Sequence, residues 1–423
     1  MTEPLTSVSA AKWLTFASSV IIVLGIAPSQ ILLGLSLAVL LASRLRPSLP
    51  PIRLQAGLFV LGTLLAVALS GDPMACFPQV KKMFVFCQLL VAYTFLKETK
   101  MARWVVLSWA ACGTASALLG LYQLGVKIHR IRVMHQDPYA GYLSARITGF
   151  MSHWYTFSVL EMISLLMLGS FVLFSPSARK HLWVWGSCAL VMGLGVIFAE
   201  TRAVWIATAI GGVYLLWGWR RWSVLLVPIV ALGALLVTPN TIRQRAVSIV
   251  RPGSDDSNGF RTILFRTGIQ MVKAHPWFGL GPEMPGKKFM DYVPSDVPRP
   301  LPSGYTGHLH NLYLEYAAER GIPVLLIFLW LIGKILWDFG RGLRAAPVGR
   351  DDNRFILQGG IAVLLALLVE GTADVNLGDS EVLTMFLVIV AIGYNAVAHV
   401  QRASSIPQGR QFPTFENSPL QPN

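Results

Sequence analysis

Three stretches of this chain hold most of the side chains able to do chemistry. The first is Ala199-Glu-Thr-Arg-Ala-Val-Trp205, where Arg202 stands between two apolar runs. A guanidinium there keeps its charge at any pH, and its fork fits two phosphate oxygens. The plain alternative is an arginine that snorkels to lipid headgroups. The second stretch is Phe260–Glu283. In it Arg266, Gln270 and Lys273 fall at i, i+4 and i+7, one face of a helix, with Ile263, Ile269 and Met271 supplying apolar surface. Pro276 ends that helix, and Gly279 and Gly281 allow a tight turn.

The third stretch runs Gly307-His-Leu-His-Asn-Leu-Tyr-Leu-Glu315 and on to Arg320-Gly321-Ile322-Pro323. Gly321 reads as a helix stop and Pro323 as the start of the next segment. His310 stands at or just before the first turn of a short helix. A neutral imidazole in that place can accept a proton near neutral pH. His308 and His310, at i and i+2, also form a possible metal pair. The loop offers no cysteine and no third ligand at helical spacing, so no metal is expected. Further cations flank these stretches: Lys81 and Lys82, and a basic run of Lys127, His129, Arg130, Arg132 and Arg146.

The elements that position these groups are apolar. The chain has 423 residues, of which 54% are hydrophobic and 13% charged. A soluble domain carries about 25% charged residues, so most of this chain is built for hydrocarbon. Apolar runs predict spans near 13–27, 29–43, 55–70, 83–97, 104–124, 152–175, 182–199, 203–218, 222–238, 321–338, 355–372 and 381–399, by the ~20-residue criterion with allowance for short or tilted helices. The first two form a tight hairpin. Lys12 leads into an apolar run with no small-residue cleavage site, which predicts no cleaved signal peptide. The cysteines Cys76, Cys87, Cys112 and Cys188 show neither metal spacing nor a disulfide framework.

The net charge of +14 is first a matter of orientation. With the N-terminus in the cytoplasm, every loop assigned to that side is basic: Arg44/Arg46/Arg53, Lys97/Lys100/Arg103, Arg179/Lys180, Arg220/Arg221 and Arg341/Arg344/Arg350/Arg354. This agrees with the positive-inside rule. The segment Thr238–Arg320 is then a large extracytoplasmic loop. Basic residues on that side oppose the rule, and bound phosphate explains them most simply. The expected organisation is a transmembrane bundle over 1–238, the large loop over 239–320, C-terminal helices over 321–400 and a disordered cytoplasmic tail over 401–423.

Ala199–Trp205, the run FRTGIQMVKAHPWFGLGP, and the His310-Asn311 pair followed after nine residues by Gly321 resemble the O-antigen ligase/O-antigen polymerase superfamily of bacterial envelope glycosyltransferases. The span pattern and the late large loop extend the resemblance over nearly the whole chain. It implies an all-α integral membrane protein of about 12 transmembrane helices. The bundle would be a GT-C-like glycosyltransferase of the inner membrane, with both termini cytoplasmic and short helices in a periplasmic loop. It implies transfer of O-polysaccharide from undecaprenyl pyrophosphate to lipid A–core oligosaccharide on the periplasmic face, without nucleotide sugar, cofactor or divalent metal and without any nucleic-acid partner. The family's essential arginines map onto Arg202 and Arg266, and its essential histidine onto His310. Lys81, Lys82, Arg146, His308, Asn311 and Tyr313 are the expected substrate-binding residues. The lack of a long C-terminal extension favours lipid A–core over a protein acceptor. An O-antigen polymerase is the alternative. A transporter is disfavoured because the ionisable groups gather in outer loops rather than along the spans.

Overall fold

In the computed structural model, residues 3–43, 46–135, 146–237, 243, 246, 256–301, 307–347, 349 and 351–405 are described. Among them the chain is helical. In order come α1 (Glu3–Ile21), α2 (Ile26–Ala42), α3 (Arg53–Ala68), α4 (Phe77–Lys82), α5 (Cys87–Phe95) and α6 (Thr99–Val133). Next are α7 (Trp154–Phe174), α8 (Leu182–Phe198), α9 (Arg202–Trp219) and α10 (Leu226–Val237). The large loop carries α11 (Asp256–Ala274), α12 (Met284–Lys287) and α13 (Phe289–Tyr292); α14 (Leu312–Ala345), α15 (Asp352–Glu370) and α16 (Ser380–Ser405) follow.

Among the described residues, six helical segments are long and apolar enough to cross a membrane: Thr99–Val133, Trp154–Phe174, Pro176–Phe198, Leu312–Ala345, Asp352–Glu370 and Ser380–Ser404. Val8–Ile21, Ile26–Ala42, Arg53–Ala68 and Arg221–Gly233 are apolar but shorter. The anticipated hairpin is present, with α1 packed on α2. The span expected at 83–97 is instead α4, a 3-10 turn at Met83–Phe86 and α5 in succession. The expected break at Gly125 does not occur, because α6 continues to Val133. At the C-terminal end α16 runs to Ser405, and residues 406–423 lie outside the described set. The most enclosed helices are α7, α15 and α16. Their apolar side chains, with those of α6 and α14, make the main core.

A second, smaller core lies under the large loop. Leu264 and Met271 of α11, Leu280, Met284, Phe289, Val293 and Val297 gather with Val67, Cys76, Leu309 and Ala318. Gly268 lets α11 lie close to α14, because a Cβ there would stand 2.6 Å from Leu314 Cδ2. The helix stop anticipated at Gly321 is a kink: its φ of 82° is non-helical, and α14 continues beyond it. Pro323 has no N–H to give to the carbonyl of Glu319. That carbonyl accepts from Gly281 N instead, at 2.9 Å, and Ala318 O accepts from Leu280 N at 2.8 Å. Ile322 N, displaced from its helical acceptor, donates to Pro276 O at 2.8 Å. The turn after α11 thus satisfies the backbone groups that the kink releases. The fit needs glycine on both sides. A Cβ on Gly279 would lie 2.3 Å from the Glu319 carbonyl carbon, and one on Gly321 2.2 Å from Trp277 O.

Candidate active site

This locked junction sets the floor of a cavity of about 860 Å³. Its lining comes from Lys82 and Gln79 on α4, Arg146 and Ser152–Thr156 before and at the start of α7, and Glu200–Ala203 at the start of α9. It is completed by Phe260 and Arg261 on α11, His308 and His310 before α14, Glu315, Tyr316, Glu319 and Arg320 on α14, Asp374 and Asp379 between α15 and α16, and Glu381 at the start of α16. Groups far apart in sequence meet here because the starts of α7, α9 and α11, the segment leading into α14 and the turn between α15 and α16 converge on one cavity.

His310 is placed by its neighbours. Its backbone has φ 49°, the left-handed region that non-glycine residues seldom occupy. Asn311 holds the following turn: its side chain caps α14 by accepting from Leu314 N at 2.9 Å and donates to Thr372 O at 3.0 Å. Just upstream, buried Glu315 accepts from Leu309 N at 2.7 Å. The histidines lie side by side, with ring centroids 4.1 Å apart. Both face Asp374, whose Oδ1 is 3.2 Å from His310 Nδ1 and 3.5 Å from His308 Nδ1. The His310 contact is short but off the line of an N–H bond, so its Nδ1 is a buried nitrogen without a hydrogen-bond partner.

Charge follows the burial. Burial raises the Asp374 carboxyl, but the adjoining His310 and His308 outweigh it and hold its pKa below the ordinary carboxylate value. Burial pushes the His308 imidazole downward, partly opposed by Asp374. Asp379 is pushed upward by burial, although Thr156 donates to it at 2.6 Å. His153, lowered by burial, caps α7 by accepting from Tyr155 N at 3.3 Å.

The cations divide. Lys82, Arg146 and Arg202 line the cavity. Arg202 is the first residue of α9, so the positive end of that helix points the same way. Lys82 is 4.0 Å from Glu283, and Arg146 lies over the Trp154 ring at 4.9 Å. Lys81 does not line the cavity and sits over Phe77 at 5.0 Å. Arg266 does not line it either: it points outward and makes two hydrogen bonds to Asp296, at 2.8 and 2.9 Å. The arginine that α11 presents to the cavity is Arg261. Tyr313 faces the bundle, where its hydroxyl donates to Leu368 O at 2.6 Å.

Several lining groups escaped the sequence reading. Asp374 and Asp379 lie between the spans expected at 355–372 and 381–399, where no motif or spacing marks them. The loop itself offers no third ligand at helical spacing, but Asp374 arrives from a different loop, and the three donor atoms lie within 4.8 Å of one another. Glu319 and Arg320 pair at the cavity floor, and Arg320 also stacks on Tyr316.

Residues 187–329, roughly a third of the chain, match a family model described as O-antigen ligase. No curated protein matches the chain. The matched segment contains Arg202, Arg261, Arg266, His308 and His310, whereas Lys82, Arg146 and Asp374 lie outside it. Over residues 187–329 the chain is therefore similar to the O-antigen ligase family.

Proposed function

We propose that this protein is an O-antigen ligase of the bacterial inner membrane. It transfers O-polysaccharide from undecaprenyl pyrophosphate to lipid A–core oligosaccharide on the periplasmic face, by a metal-independent inverting displacement. The observation that carries this reading is the convergence of Arg202, Arg261 and His310, all from the matched segment, on one cavity.

The chemistry has two needs. Charge growing on the departing pyrophosphate must be stabilised, and the acceptor hydroxyl must lose its proton. Arg202, Arg261 and Lys82 supply fixed positive charge at the cavity wall, and the arginine forks suit paired phosphate oxygens. His310 takes the acceptor proton. The acceptor oxygen attacks the anomeric carbon, the bond from that carbon to the phosphate oxygen breaks, and the electron pair leaves with the pyrophosphate. Asp374, ionised beside His310 Nδ1, favours the tautomer whose other nitrogen is free to accept a proton and stabilises the imidazolium that results. Arg261 thus takes the phosphate-binding role that the family resemblance implies for Arg266. Lys81 and Tyr313 stand outside this scheme, and Asn311 serves it by positioning His310.

Deletion of the gene tests the reading. Lipid A–core without O-chains, alongside long carrier-linked chains, identifies a ligase. Lipid A–core bearing single repeat units identifies a polymerase and overturns the assignment.

A further inference from the structure

We propose that His308, His310 and Asp374 form a binding site for a zinc-type divalent cation, and that a cation bound there switches the transferase off. The inhibitory consequence rests on the reading of His310 as the base, whereas the binding does not.

Three observations support the site. First, the donors are of the right kind: two imidazole nitrogens and a carboxylate oxygen, the set that suits zinc and its neighbours in the first transition row. Second, the spacing fits. Metal–ligand bonds of about 2.0–2.2 Å at tetrahedral angles separate neighbouring donors by about 3.3 Å. Here Asp374 Oδ1 is 3.2 Å from His310 Nδ1 and 3.5 Å from His308 Nδ1, and all three atoms fall within 4.8 Å of one another. Third, His310 Nδ1 is buried without a hydrogen-bond partner and turned toward the other two donors. A cation would satisfy it. His308 Nδ1 accepts from His310 N at 3.3 Å, so it is unprotonated on that side, and it ligates a cation by giving up that long, weak bond.

The consequence follows from imidazole chemistry. A histidine ligated through one nitrogen keeps its remaining proton on the other. Metal on Nδ1 of His310 therefore removes the lone pair that would take the acceptor's proton, and it also draws Asp374 out of its supporting role. Occupancy and catalysis exclude each other.

The test uses metal-stripped, full-length protein in detergent, titrated with Co²⁺ and followed by visible ligand-field absorption. Zn²⁺ competition and thermal stability are measured in parallel. One equivalent of Co²⁺ is expected to develop the absorption of a nitrogen/oxygen site, and Zn²⁺ to displace it and raise the melting temperature. His308→Gln and Asp374→Asn should each weaken binding at least about 10-fold, the least expected when a direct donor is lost. His275→Ala should not, since His275 lies outside the cavity against Tyr292. Melting curves of the metal-free variants show whether each is folded. No stoichiometric binding, or binding indifferent to both substitutions in folded protein, overturns the site. Stoichiometric Zn²⁺ that leaves polysaccharide transfer unchanged or increases it overturns the inhibitory role. A protein that binds metal but never transfers polysaccharide refutes the ligase reading and leaves the site standing.

Discussion

Arg261 and Arg266 lie five residues apart on α11, so their side chains leave the helix about 140° apart. Only one of them can face the cavity. The geometry selects Arg261, which lines it, over Arg266, which is tied to Asp296 on the outer surface. The discriminating perturbation is arginine to lysine at each position, because lysine keeps the charge and loses the fork. Removing one well-aimed donor to a developing oxyanion costs ~10²–10³ in rate. Arg261 is exposed in the open cavity, so water screens part of its effect and the lower figure, ~10², is expected for Arg261→Lys. Arg202→Lys should behave likewise. The Arg266–Asp296 pair is exposed on both sides, at 45% and 63%, and such pairs add little. Arg266→Lys should therefore keep transfer within about threefold of the parent. The assay is transfer of carrier-linked polysaccharide to lipid A–core in proteoliposomes, with melting temperature checked for each variant. If folded Arg266→Lys is nearly inactive while Arg261→Lys is nearly normal, the assignment of the clamp is refuted.

Other consequences are open to simple measurements. Asn311→Ala removes the cap of α14 and should cost about 1 kcal/mol in stability; because Asn311 also places His310, turnover should fall more than donor affinity does. Excess EDTA should leave transfer intact or raise it, and a loss restored by Mg²⁺ or Mn²⁺ would contradict metal-independent chemistry. Burial lowers the pKa of His153, so between its folded value and the ordinary ~6.5 the unfolded chain binds more protons and stability falls as pH falls. His153→Asn, a cap that does not titrate, should flatten the decline in melting temperature as pH drops below about 6.5, and a slope equal to that of the parent would exclude His153 as its source.

The bundle was readable because hydrocarbon demands long apolar runs, and such runs stand out in any window. The hairpin of α1 and α2 and the limits of α7, α8 and α15 follow that rule closely. Where a run's limits were misplaced, a local contact decides. Apolar patterning predicts a stop at Gly125, but α6 goes on as a solvated helix with Lys127 bonded to the Arg146 carbonyl. Gly279, Gly281 and Gly321 could be read as turn and stop, yet not as partners. Their interlock appears only when the kink's free carbonyls meet the amides of the turn. Arg261 and Arg266 share a local motif, since Phe-Arg-Thr occurs twice, at 260–262 and 265–267, and sequence alone does not reveal which turn of α11 faces inward. Asp374 was hidden for another reason. A carboxylate in a short outer break has no periodic signal, and its meeting with His310 is a product of how α14, α15 and α16 pack.

The most direct test of the ligase account is single-turnover transfer by His310→Ala in proteoliposomes that hold the lipid-linked donor and lipid A–core. The account predicts a rate lower by roughly 10²–10⁴, with carrier binding nearly unchanged and the melting temperature close to that of the parent. A folded His310→Ala protein that joins polysaccharide to lipid A–core at the parent rate would contradict it.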